Sequence, residues 1–150
     1  MLTDAILAIA HHLLIFALLA VLVTEMVTVR VGLTRAQVVY LSRLDIGFGV
    51  LAGLILIVGF SRVFFGLKGP AFYLDNWVFW AKIAAFLVVG LLSILPTLRI
   101  IAWRRAATTN PDFAPPRDDI RRVRRFMHAE GMVFFTIPVF AALMARGYGL

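Results

Sequence analysis

The chain has no cysteine, which excludes disulfides, thiolate metal sites, iron–sulfur clusters and cysteine nucleophiles. Charge is scarce too. Only 15% of the 150 residues are charged, whereas a water-soluble domain coats itself with about 25%. A soluble globular domain and a disordered chain are therefore excluded. No phosphate loop, metalloprotease motif, nucleophile elbow or zinc signature is present either.

What the sequence does have is apolar length. Hydrophobic residues make up 62% of it, and the mean hydropathy is +0.95. A helix crossing about 30 Å of hydrocarbon needs about 20 mostly apolar residues. Four stretches qualify within a single domain over residues 1–150: about 5–24, 46–65, 77–98 and 126–145. Lipid offers the backbone no hydrogen-bonding partner, so continuous runs of this length predict helices. The expected fold class is all-α, an integral membrane four-helix bundle. The start Met1-Leu2-Thr3-Asp4 lacks Lys and Arg, and no small-residue cleavage site follows the first run, so a retained helix is expected.

Eleven of the fifteen positive charges fall on one side of this topology: Arg30, Arg35 and Arg43 after span one, and Arg99, Arg104, Arg105, Arg117, Arg121, Arg122, Arg124 and Arg125 between spans three and four. The positive-inside rule then places both termini in the periplasm of a multi-pass protein of the bacterial inner membrane. The run Arg121-Arg122-Val123-Arg124-Arg125 abuts a span, which favours anionic lipid heads over nucleic acid as its partner. Residues 25–44 are expected to extend span one as an amphipathic helix and return along the interface. Residues 66–76 read as a turn-rich loop with Phe72, Tyr73, Trp77 and Trp80 in the headgroup zone. Asp118 or Asp119 is placed to cap a helix that leads into span four. Gly49 and Gly53 form a GxxxG pattern for a close helix crossing, inside the chain or in a homo-oligomer.

Ionisable groups in a span are costly, so each is a functional candidate. His11, His12, Arg62, Lys82 and Arg146 lie toward the side with the termini; Glu25, Asp45, His128 and Glu130 lie toward the other. A basic layer facing inward suits a carboxylate, phosphate or haem propionate. His11 and His12 point about 100° apart, so only one can face a central ligand. Arg62 and Arg146 are near enough to helix ends to snorkel instead. On span three, Lys82, Gly90, Ser93 and Thr97 form a stripe expected to face the bundle. His128 shares a face with Arg146, five turns on, while Glu130 points the other way and needs its own partner. Asp45 is expected to start span two and favour its dipole. Pro96 and Pro138 are expected to kink their helices.

His11-His12, Gly66-Leu67-Lys68-Gly69 before Phe72-Tyr73, and Trp80-Ala81-Lys82 running to Leu95-Pro96-Thr97 give the chain its landmarks. In these it resembles a bacterial family of four-span inner-membrane proteins of uncharacterised activity. A histidine on the first helix and a Trp-x-Lys start to a later one also resemble the HemJ-type protoporphyrinogen oxidases and the CopD-type copper-resistance proteins. The first likeness implies haem b as cofactor, with His11 or His12 as ligand to the iron and Lys82 as the lysine of the later helix. The chain departs from that pattern at Leu95-Pro96-Thr97, where HemJ-type chains carry a further histidine. His128 cannot replace it: His11 and His12 stand roughly 20 Å above the far end of span one, and His128 only a few ångströms above the matching end of span four.

Two functional expectations follow. In one, a haem- or porphyrin-binding redox protein uses His11 or His12, with Lys82, Arg62 and Arg146 facing the anionic groups. In the other, a small proton-coupled transporter uses Glu25, His128, Glu130 and Lys82 as a relay. An accessory membrane protein, its polar groups used for packing and docking, is the third reading.

Overall fold

The computed structural model describes residues 1–149. Among these there is no strand, and six helices follow one another: α1 (Leu2–Thr28), α2 (Arg35–Phe65), α3 (Gly69–Leu74), α4 (Trp77–Thr109), α5 (Arg117–Phe134) and α6 (Thr136–Ala145). Four helical rods, the last being α5 continued by α6, are long and apolar enough to cross a membrane. They run alternately up and down, so both termini share one end and the arginine-rich connections share the other. Each rod touches its neighbours around a square: α1 on α2, α2 on α4, α4 on α5 and α6, and α5 back on α1. The expected all-α membrane bundle is the observed architecture.

One side of the square is drawn less tightly than the others. No Cα of α1 comes within 8 Å of one in α6, so at the terminal end these two rods stand further apart than the other neighbours, and side chains such as Ile15 and Ile137 fill the layer between them. The break that separates α5 from α6 lies at Phe135. Pro138 explains it, because proline has no N–H for the carbonyl four residues back and its ring crowds that turn. Pro96, by contrast, sits buried in α4 without ending it.

The helix ends correct several expectations. Residues 25–44 do not form an interfacial return: α1 stops at Thr28, the chain turns over residues 29–34, and α2 starts at once. Thr34 explains the abrupt start, because its hydroxyl accepts from the Gln37 N–H and the Gln37 side chain accepts from the Thr34 N–H. Asp45 is consequently ten residues inside α2 rather than at its start. The 66–76 loop contains the short helix α3, with Pro70 in its first turn. Pro116 occupies the N-cap of α5, so neither Asp118 nor Asp119 caps it; both lie in the first turn, where a carboxylate favours the dipole.

Packing falls into three layers. Val29, Leu33, Val38, Leu41, Ile100, Trp103, Ile120, Val123 and Met127 fill the arginine-rich end. Leu18, Leu22, Phe48, Ile55, Val89, Phe134 and Ile137 fill the middle. Val63, Tyr73 and Phe79 close the terminal end. The GxxxG pair makes no close crossing within the chain, since a methyl group at Gly49 or Gly53 would meet nothing within 4 Å. The close approach is six residues beyond Gly53, at Gly59.

Candidate functional site

Adjacent residues on α1 point apart, and the structure separates the two histidines accordingly. His12 is exposed, and its Nδ1 lies 2.6 Å from the Ala8 carbonyl on its own helix. His11 turns inward, where Nδ1 is buried with no hydrogen-bond partner. Gly59 makes room for it: a Cβ there would stand 3.2 Å from His11 Cε1 and 3.7 Å from Nδ1. The imidazole thus packs edge-on against the α2 backbone.

Around His11 the four rods enclose a cavity of about 100 Å³. Arg62 enters from α2 and Lys82 from α4; Tyr73, Phe79, Phe86 and Phe134 supply aromatic wall. Arg62 Nε is buried without a partner, and Lys82 Nζ stands 5.3 Å from the centroid of the Phe79 ring. Among the described residues no acidic one lines this space. Arg146 stays outside it, exposed beyond the end of α6. Of the five basic candidates, His11, Arg62 and Lys82 are therefore brought together, and His12 and Arg146 are not.

At the other end Glu25 and Glu130 are buried, at 3% and 2% exposure, and Asp45 is half-buried beside them. The three lie within electrostatic reach of one another. Asp45 accepts a hydrogen bond of 2.7 Å from the Thr97 hydroxyl, but Glu25 Oε1 and Glu130 Oε1 have no partner. His128 is not part of this group. It is exposed, with Nδ1 held 2.6 Å from the Arg124 carbonyl. The partner that Glu130 was expected to need is also absent: among the described residues the ion pairs are Arg99–Asp119 and Arg121–Asp118.

The expected stripe on α4 splits. Lys82 faces the cavity, whereas Gly90, Ser93 and Thr97 line a groove of about 780 Å³ between α2 and α4. Ser93 donates to the Gly90 carbonyl, and Ser42, Asp45, Arg104 and Arg105 continue the groove toward the arginine-rich end. The groove, and the place of Asp45 on its wall instead of at a helix start, are what the sequence reading missed. The signal present was the even spacing of apolar residues on both sides of Asp45, which runs the helix straight through it.

A family model matches residues 3–149, nearly the whole chain, and its description is that of predicted membrane proteins, DUF2214. The chain belongs to that family. No curated protein and no solved structure matches it. Family and fold together make it a multi-pass membrane protein with four transmembrane rods. For this DUF2214 chain, any activity is argued from the two clusters themselves.

Proposed function

We propose that the protein binds an amphipathic anion in the outer half of a bacterial inner membrane, holding its carboxylate or phosphate at His11, Arg62 and Lys82. The observation behind this reading is the convergence of three basic side chains on one cavity with no acid among them. Gathering like charges in low dielectric is costly, and a bound anion offsets that cost. The cavity suits a head group rather than a whole molecule, since about 100 Å³ is well below the roughly 300–1,000 Å³ of pockets that bury a drug-sized ligand. The apolar remainder of the ligand leaves between α1 and α6, where the helices stand apart. The arginine bias puts this opening in the periplasmic leaflet, with both termini on that side. The cytoplasmic Arg121–Arg125 face rests against anionic lipid heads.

A brominated alkyl phosphate tests this by quenching tryptophan fluorescence in nanodiscs, since Trp77 and Trp80 stand at the same end as the cavity. Saturable quenching is expected from the phosphate and not from the brominated alcohol of equal chain length. Arg62→Gln and Lys82→Gln should each raise the half-saturating concentration. Equal, non-saturating quenching by both probes would overturn the proposal.

A porphyrin is the redox alternative in the same ligand class, favoured by the buried imidazole of His11 beside two cations. Its propionates suit Arg62 and Lys82. Its ring does not suit the space, which is far below the roughly 300–1,000 Å³ of pockets that bury a drug-sized ligand. No second imidazole faces the cavity either, because His12 and His128 are both turned outward. An oxidised-minus-reduced visible spectrum decides it. A haem band lost in His11→Ala and kept in His12→Ala supports haem; a colourless, folded protein ends that reading.

A further inference from the structure

The carboxyl group at the arginine-rich half has three features that anion binding leaves unexplained. Glu25 and Glu130 are almost wholly buried, and each keeps an oxygen without a hydrogen-bond donor. Asp45 is half-buried on the wall of the α2–α4 groove, where the Thr97 hydroxyl donates to it. The groove is mostly apolar, but Ser42, Ser93, Thr97 and Thr108 set hydroxyls along it, and Arg104 and Arg105 stand at its arginine-rich end.

Cations do not neutralise the three acids. On α4, Arg104 donates to Ser42 Oγ at 3.1 Å, and Arg99 pairs with Asp119. On α5, Arg124 donates to the Val29 carbonyl at 3.1 Å, and His128 faces outward. On α2, Arg43 is exposed, and α1 carries no Lys or Arg. Nor do the carboxyls converge closely enough to chelate a metal ion together, among the described residues. A buried, unpaired carboxylate with a bare oxygen is among the costliest groups a fold can hold. A proton on that oxygen removes the charge, which is the larger part of that cost.

We propose that Glu25, Asp45 and Glu130 form a proton-binding station, filled from the arginine-rich side through the α2–α4 groove with Asp45 as the entry carboxyl. Water in the groove gives its proton to an Asp45 oxygen, leaving hydroxide that returns to bulk. Asp45 hands the proton to a bridging water, which releases one of its own to Oε1 of Glu25 or Glu130, and Asp45 regains its charge. The station differs from the expected relay in two members: Asp45 takes the position expected for His128, and Lys82 lies in the His11 cavity instead. It stands whether or not the His11 cavity takes an anion.

Infrared spectroscopy of the full chain in liposomes tests it. The carbonyl stretch of protonated carboxylic acids, shifting on transfer to heavy water, should be present in the wild type and lost in the Glu25→Gln, Glu130→Gln double variant. Identical spectra for the two proteins would overturn the station. The route is tested separately, because Gly49 lies open in the groove and the chain has no other cysteine. Gly49→Cys labelled with a bulky maleimide should slow the heavy-water shift by at least an order of magnitude relative to the unlabelled variant. An unchanged rate would overturn the groove as the entry. Neither experiment uses an anionic ligand, so their outcome is independent of the quenching assay.

Discussion

The imidazole of His11 lies against Gly59 so closely that a single methyl group on that glycine would stand 3.2 Å from Cε1. The contact fixes which of two adjacent histidines faces the bundle, and it sets the spacing of α1 and α2 beside the cavity. Gly59→Val should therefore push the ring or the helix aside, at about 1–3 kcal/mol for an overpacked site. Gly49→Val, where a Cβ meets nothing within 4 Å, should cost at most about 0.5 kcal/mol. Unfolding of both variants in mixed detergent measures the difference; equal losses would mean that the His11–Gly59 contact does not set the packing.

Arg124 and Asp119 provide an ordering test. Arg124 donates to the Val29 carbonyl and so ties α5 to the turn after α1. A charged donor on a backbone acceptor contributes about 1.5–3 kcal/mol. Asp119 pairs with Arg99 at 3.3 Å across a partly solvated surface, where such pairs give about 0–1 kcal/mol. Arg124→Ala should accordingly destabilise more than Asp119→Ala in the same unfolding assay, and the reverse order would refute this account.

Asn76 acts at two places at once. It is fully buried, its side-chain oxygen accepts from the Val78 N–H at the start of α4, and its amide donates to the Tyr148 carbonyl. Asn76→Ala should cost about 1–2 kcal/mol as a lost N-cap. It should also release the C-terminal turn. Faster amide exchange at residues 146–149, with the rest of α6 unchanged, is the expected signature.

Thr97 tests how far Asp45 depends on its one donor. Thr97→Val keeps the shape of the side chain and removes the 2.7 Å hydrogen bond across α2 and α4. Deleting a donor to a partly buried carboxyl should cost about 1–3 kcal/mol. Asp45→Asn in the same background should recover part of that loss, since an amide is cheaper to leave unpaired than a carboxylate. A double-mutant cycle gives the coupling directly.

The rods and their order were legible in the sequence because lipid permits so few backbone solutions, and apolar length alone then selects helices. Local chemistry fixed other points that composition could not. The capping box at Thr34 and Gln37 moved the start of α2 by ten residues, which turned Asp45 from a helix-end carboxyl into a wall of the groove. His11 and Glu25 are fourteen residues apart, within about 40° of one another around α1, and both point inward. Phase could not choose between His11 and His12, because that choice rests on a glycine on another helix. Nor could it bring Asp45 beside Glu25 and Glu130, since three helices meet there and no single period records their meeting.

The length of α4 has a consequence for the membrane around it. Its 33 residues span about 50 Å, and its apolar part, residues 77–98, alone covers about 33 Å against roughly 30 Å of hydrocarbon. A rod that overshoots answers a change in bilayer thickness by leaning, at a fraction of a kcal/mol per ångström of mismatch. In a thin membrane the bundle leans more, in a thick one it stands straighter, and the spacing of α1 from α6 is the part of the square least braced against that motion. Lipid thickness thereby acts on the width of the gap that leads to His11.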